Sequence, residues 1–291
     1  MNRSCPSCDA DDATTVVELT ASSIAGGNDT YRANALELLG VPPDASYPIV
    51  SCTRCGFVYA RDLPAESFLT TLYRDVIDGT ATESWTAHQL ELASALLSRA
   101  AANGPARILD FGCGDGTIVH ALNAARIFCL GYEPHPRIPA SDRITDSIDV
   151  VRATAPFSGI ILSDVLEHVP DPRSVLAQCL DLLAPDGWIC VSVPDFGPRR
   201  LKTIVRELES GRPVTRELNP WEHLNYFSPA SLARMIRRAG FRVHAEPATG
   251  FGFRSSATGV RRLTNAVRST ARLLAHAAAP SPGSTTIFAQ K

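Results

Sequence analysis

Two C-x-x-C pairs carry the first chemistry: Cys5 with Cys8, and Cys52 with Cys55. Four thiolates are the ligand set of a tetrahedral zinc ion. Four protein ligands leave no open position for a reactant, so the expected role is structural. Gly56 follows the second pair, where the absence of a Cβ lets the chain fold back round a metal. The stretch between Cys8 and Cys52 is long for a compact zinc ribbon, so an insertion must loop out. A dithiol redox pair is the rival, weakened because neither pair opens a strand–helix–strand unit. Cys113, Cys129, Cys179 and Cys190 stand singly, mostly among apolar neighbours, and read as small buried side chains.

The second constellation is Asp110-Phe111-Gly112-Cys113-Gly114-Asp115-Gly116, between an apolar strand-like run and a helical one. Glycines at that junction let backbone turn tightly and approach a ligand. The dinucleotide fingerprint would need its third glycine at position 117, which is Thr; here it comes at 116. An acid at position 110 disfavours a pyrophosphate and suits a cationic amino-acid group. Glu133 ends the next strand-like run, where a carboxylate can accept from two ribose hydroxyls. Acid–base candidates stand in two further places. Glu167-His168 is one; the other is Glu222-His223, within Trp221-Glu222-His223-Leu224-Asn225-Tyr226-Phe227. An imidazole with an unperturbed pKa near ~6.5 can accept a proton at neutral pH.

Alternating elements must position these groups. TTVVEL and YPIVSC are strand-like, with turns at residues 26–29 and 42–44. Residues 64–75 and 84–102 have helical periodicity, ended by Asn103-Gly104-Pro105. From 106 on, strands ARILDF, IFCLGYE, 142–146, SGIILSD, GWICVSV, FRVHAE and STTIFAQ are expected, with helices at 115–125, 172–183, 228–239 and 259–278. Ser228 is the expected N-cap of the third of these, with Pro229 in its first turn. Such alternation predicts an α/β fold, a doubly wound, mostly parallel, seven-stranded sheet. The expected organisation is a zinc-ribbon-like module at 1–60, a helical lid or linker at 61–104, and a ligand-binding domain at 105–291.

The glycine loop, SDVLEHVPDP (163–172) and LLAPDGWICVSVP (182–194) together resemble the class I S-adenosylmethionine-dependent methyltransferases, over residues 106–291. The alternative is a glycine turn in another doubly wound fold. The resemblance implies that Gly112, Cys113, Gly114 and Gly116 line the methionine part of S-adenosylmethionine, with Asp110 near its amino group. Glu133 would hold the ribose, Asp146 or Ser147 would sit near adenine, and Asp164 would face the reactive end. A zinc module before such a domain is similar to the nucleotide-sugar C-methyltransferases and related small-molecule enzymes of secondary metabolism, although the carboxy-terminal domain of the long sugar enzymes is missing. Their Glu-His pair points to His223 as candidate general base and Glu222 as its acidic helper. His168 is expected to line the site. Tyr73 is expected either to reach over the pocket from the lid or to be a partly buried aromatic. Asp164, Glu167 and His168 also resemble the ligands of metal-dependent O-methyltransferases, to which His223 could add a fourth.

Composition limits the alternatives. The chain has 291 residues, 45% hydrophobic and 20% charged, enough for a substantial core. Its formal net charge of -2 counts against a nucleic-acid partner, and so against the second reading, an RNA base methyltransferase. A third reading is a non-catalytic binding protein on the same scaffold. The start lacks the apolar segment of a signal peptide and no run suits a membrane span, so a cytoplasmic enzyme acting on a small-molecule acceptor is expected.

Overall fold

The computed structural model describes residues 3–27, 31–76, 89, 92, 93, 96, 106–135, 141–214, 218–243, 248–249 and 284–291. In chain order the elements are β1 (Ala13–Thr20), α1 (Ala21–Gly26), α2 (Ala35–Leu39), β2 (Ser46–Cys52), β3 (Val58–Ala60) and α3 (Glu66–Thr71), which runs into a π-turn at Leu72–Val76. Then come β4 (Arg107–Phe111), α4 (Thr117–Ala124), β5 (Phe128–Tyr132), β6 (Ile144–Thr145), α5 (Ile148–Thr154), β7 (Phe157–Ser163) and α6 (Pro172–Leu182). The last are β8 (Leu183–Pro194), α7 (Pro198–Glu209), β9 (Asn225–Tyr226), α8 (Pro229–Arg238), β10 (Arg242–Val243), β11 (Ala248–Thr249) and β12 (Ser284–Gln290).

By packing, the chain gathers into two compact units assembled from non-consecutive segments. One comprises Met1–Thr80, Asp164–Ala177 and Val193–Ala239; the other comprises Ala81–Ser163, Gln178–Ser192 and Gly240–Lys291. The first holds an antiparallel sheet in the order β1-β2-β3-β9. Its first hairpin pairs Ala13 with Cys52, so the long insertion between the cysteine pairs folds as β1 and β2 with two short helices between them. Its fourth strand, Asn225–Tyr226, comes from far along the chain and pairs with Val58 and Tyr59. Trp221 is fully buried in this unit's core. Tyr31 stacks on it at 5.9 Å, with Tyr47 and Phe68 edge-on at 5.7 and 5.6 Å. Each such pair adds about 0.5–1.5 kcal/mol beyond simple burial.

The second unit carries the expected sheet, in the order β10-β12-β8-β7-β4-β5-β6, with β11 also pairing β12. The pairs among β4, β5, β6, β7 and β8 are parallel, and β12 runs antiparallel to β10 and β11. β7 and β8 are buried nearly throughout, which is why they read as continuous apolar runs. Gly159 has a packing reason: a Cβ there would lie 2.3 Å from the Trp188 ring. Of the expected helix at 84–102, Gln89, Leu92, Ala93 and Leu96 are described; all four are helical and buried, at the i, i+3, i+4, i+7 spacing of one face. The rest of that helix, residues 244–246 of the FRVHAE strand and the expected helix at 259–278 lie outside the described residues.

Several boundaries follow local chemistry. Ser228 caps α8, accepting from Ser231 N while the Ser231 side chain returns the bond, and Pro229 opens the helix. Asp171 accepts from the backbone N of Arg173 and Ser174, starting α6 where Asp171-Pro172 suggested. Among the described residues, no helix is long and apolar enough to cross a membrane.

Candidate functional site

Three groups of expected site residues are brought together, each within one unit. The cysteines form the first. Cys5 and Cys55 place their Sγ atoms 3.6 Å apart, as do Cys8 and Cys52, and all four sulfurs lie within 4.8 Å of one another. A tetrahedron built on ~2.3 Å zinc–sulfur bonds has edges of about 3.8 Å, so the spacing fits a tetrathiolate. A disulfide would need about 2.05 Å. Both pairs form the same turn. Cys5 O accepts from Cys8 N and Asp9 N; Cys52 O accepts from Gly56 N. Asp9 (φ 60°) and Gly56 (φ 70°) close the two turns in left-handed conformations. Glycine is suited to that position, and aspartate is among the few other residues that tolerate it.

The second group is the glycine loop between β4 and α4. Gly112, Gly114 and Gly116 have φ of 78°, 55° and 76°. These left-handed values explain why the loop needs glycine. At Gly116 a Cβ would also lie 2.5 Å from Ile144 Cδ1. Tyr132 O accepts from the backbone N of both Gly112 and Cys113, tying the loop to the end of β5. Glu133 holds it too: its carboxylate accepts from Gly114 N at 3.0 Å and from His135 N at 3.2 Å. Asp110 ends up 2% exposed. Burial, then the nearby Glu133 and Asp115 carboxylates, raises its carboxyl to about 7. The Cys113 side chain belongs to the apolar core with Ile118 and Val119, which leaves its backbone to face the loop. Asp146 is exposed just past β6, and Ser147 is the N-cap residue of α5. Glu133 N bonds Thr145 O, holding the β5 and β6 ends together.

The third group surrounds two histidines. The His168 and His223 rings meet edge to face with centroids 4.7 Å apart. Leu224 N and Asn225 N both donate to Glu167 O, and the Asn225 side chain donates to Leu166 O and Val169 O at 2.8 Å. Backbone and amide thus staple the two histidine loops to each other. Arg3 adds a second staple, donating to Pro170 O, Leu224 O and Asn225 Oδ1. His168 Nδ1 lies 2.9 Å from Glu222 O. A carbonyl only accepts, so Nδ1 carries the proton at this contact. Tyr73, in the π-turn, packs against the core and brings its hydroxyl within 3.5 Å of the same nitrogen.

Glu222, expected as an acidic helper of His223, has its carboxylate engaged elsewhere. It is buried, accepting from Tyr31 Oη at 2.6 Å and from Asn219 Nδ2 at 2.9 Å. Asn219 O in turn accepts from His223 N at 2.7 Å. Tyr31 and Asn219 were not apparent as site residues in the sequence. Asn219 had a signal, standing three residues before Glu222 in a turn; Tyr31 had none. Glu167 is fully enclosed, 1% exposed, beside Asp164. Burial, together with the neighbouring Asp164 carboxylate, pushes its carboxyl well above the usual range. Asp164 follows the last residue of β7 with φ of 55°, a conformation uncommon outside glycine. Ligand atoms of Glu167, His168 and His223 lie within 4.8 Å of one another.

A family model described as a methyltransferase domain matches residues 85–246, more than half of the chain. The ubiquinone biosynthesis O-methyltransferase of Xylella fastidiosa is 30% identical over 164 residues, 51% of this chain. That of Thiobacillus denitrificans is 28% identical over 163 residues, 50% of this chain and 68% of its own length. The match spans 65% of the length of the Xylella relative. Among solved structures, a methyltransferase from Archaeoglobus fulgidus is 18% identical with a TM-score of 0.43, covering 69% of this chain and 94% of its own. The 1,6-didemethyltoxoflavin-N1-methyltransferase of Burkholderia thailandensis is 18% identical with a TM-score of 0.47, covering 82% and 97%. With its glycine loop, its sheet and this family match, the chain belongs to the S-adenosylmethionine-dependent methyltransferase family.

Proposed function

We propose that this protein moves the methyl group of S-adenosylmethionine to an oxygen of a small-molecule acceptor, a sugar or a secondary-metabolite intermediate, with the His168–His223 pair taking the acceptor's proton. The observation that carries the reading is the paired imidazoles, one with its protonated nitrogen held by the Glu222 carbonyl. Bound S-adenosylmethionine supplies an already activated methyl group, so the protein must align an acceptor and remove a proton. His223 is the candidate base. His168 stands edge to face beside it with Nδ1 on the Glu222 carbonyl, and Tyr73 and Asn225 add polar groups to the same region. The Tyr31–Asn219–Glu222 network keeps the turn under both rings fixed. Oxygen is favoured as acceptor because the curated relatives are named O-methyltransferases. On the cofactor side, Asp110 would receive the ammonium, Glu133 the ribose, and Asp146 or Ser147 the adenine; Asp164 would face the reactive end. The four cysteines would hold a structural zinc ion, for which their spacing is suited.

The experiment is methyl transfer from labelled S-adenosylmethionine to a panel of phenols, nucleotide sugars and related hydroxylated intermediates. With a competent acceptor, His223→Ala should lower turnover about 10²–10⁴-fold while leaving cofactor affinity intact. Turnover within a few-fold of the parent in both His223→Ala and His168→Ala would reject the base assignment. One observation favours a second reading. Buried Glu167, His168 and His223 have the spacing of a divalent-cation site to which Asp164 could add a carboxylate. A cation held there would lower the pKa of an acceptor hydroxyl. Loss of turnover on chelation, restored by magnesium, would select this reading over the metal-free pair.

A further inference from the structure

Arginines from distant parts of the sequence grip both cysteine turns. α8 carries Arg234 and Arg238 four residues apart, on one face. Arg234 donates to Cys55 O at 3.0 Å and Arg238 to Ser7 O at 3.0 Å, so one guanidinium reaches each turn. Arg173, in the first turn of α6, grips Asp9 through two nitrogens at 2.8 and 2.5 Å. Asp9 is the left-handed residue that closes the first turn. Arg54 lies inside the second C-x-x-C and adds its field to that of Arg173 on Asp9. Arg54, Arg173 and Arg238 line, with Cys8 and Cys55, one cavity of ≈ 590 Å³.

A metal needs all four cysteines as thiolates, and a divalent cation among four thiolates leaves a dianion. Thiolates are stabilised by nearby guanidinium charge. We propose that Arg54, Arg173, Arg234 and Arg238 form a cationic collar that holds the cysteines' metal as an anionic tetrathiolate, an inference that rests on the zinc reading above. Facing a dianion and Asp9, the four guanidiniums keep little surplus charge, which argues against the cavity being a phosphate site. The collar also explains why the metal turns need partners so far along the chain. Among the described residues of 1–60, Arg54 alone lines that cavity with positive charge.

The test uses the full-length, zinc-loaded protein and a colorimetric chelator that reports zinc release. The Arg234→Gln/Arg238→Gln double variant should release zinc about 10–100-fold faster than the parent, the scale expected for losing charged hydrogen bonds. Arg238→Lys should stay within about threefold of the parent, because it keeps the charge. Added salt should speed release from the parent more than from the double variant. Should the double variant fail to fold, the single Gln and Lys variants and the salt series carry the same comparison. Parent-like release in the Gln variants, or a Lys variant as leaky as Gln, would overturn the collar. A parent that contains no zinc after preparation under reducing conditions would overturn the zinc reading itself.

Discussion

Lowering the pH should weaken cofactor binding through one carboxyl group, Asp110. It is 2% exposed, and burial and neighbouring acids raise its carboxyl to about 7. The ammonium of S-adenosylmethionine resembles an α-amino group, with a pKa of about 7.7–8, and stays cationic below pH 7. It calls for ionised Asp110, whereas the free protein increasingly holds the protonated form as pH falls. With a free-protein pKa of about 7, the ionised fraction is about one half at pH 7 and about 1% at pH 5. Affinity should therefore fall about 50-fold over that interval, or about 2.3 kcal/mol, and fall again above about pH 8 as the ammonium itself loses its proton. The sign follows from the raised pKa: binding favours the ionised form, so it must release a proton wherever the free protein keeps one. Titration calorimetry in buffers of different ionisation enthalpy should detect that release, approaching one proton per ligand near pH 6 and below. Asp110→Asn should remove the pH slope and weaken binding at pH 8 by about 1.5–3 kcal/mol. A flat profile in the parent, or the same slope in Asp110→Asn, would refute the reasoning.

Other tests address neighbouring groups. Glu133→Ala should weaken S-adenosylmethionine by about 1–3 kcal/mol, since the carboxylate that would hold the ribose also fixes the loop through Gly114 N; unchanged affinity would remove Glu133 from the site. Gly159→Val should destabilise the sheet by about 1–3 kcal/mol or more in a denaturant titration, because its Cβ would lie 2.3 Å from Trp188. A parent-like midpoint would show that the Trp188 ring can move aside at little cost.

The sequence by itself determined what depends on short-range order. Strand–helix alternation and the glycines at 112, 114 and 116 identified the sheet and the tight turn after β4, because an apolar period and a left-handed turn are local properties. Ser228-Pro229 and Asp171-Pro172 marked helix starts for the same reason: a cap is satisfied within three residues. Both cysteine pairs were legible too, since each turn closes within five residues. Tertiary structure alone decided which distant groups meet. Pairing Val58 with Tyr226 brings a strand from the second half of the chain onto the amino-terminal sheet, and no periodicity in residues 1–60 announces that partner. The same folding sets His168 beside His223, lends Glu222 to Tyr31 and Asn219, and carries Arg234 and Arg238 to the cysteine turns. A side chain's chemical type is written in the sequence, but its partner is chosen by burial. Once Glu222 and Tyr31 are removed from water, each must find its hydrogen bond in whatever segment the core places alongside it.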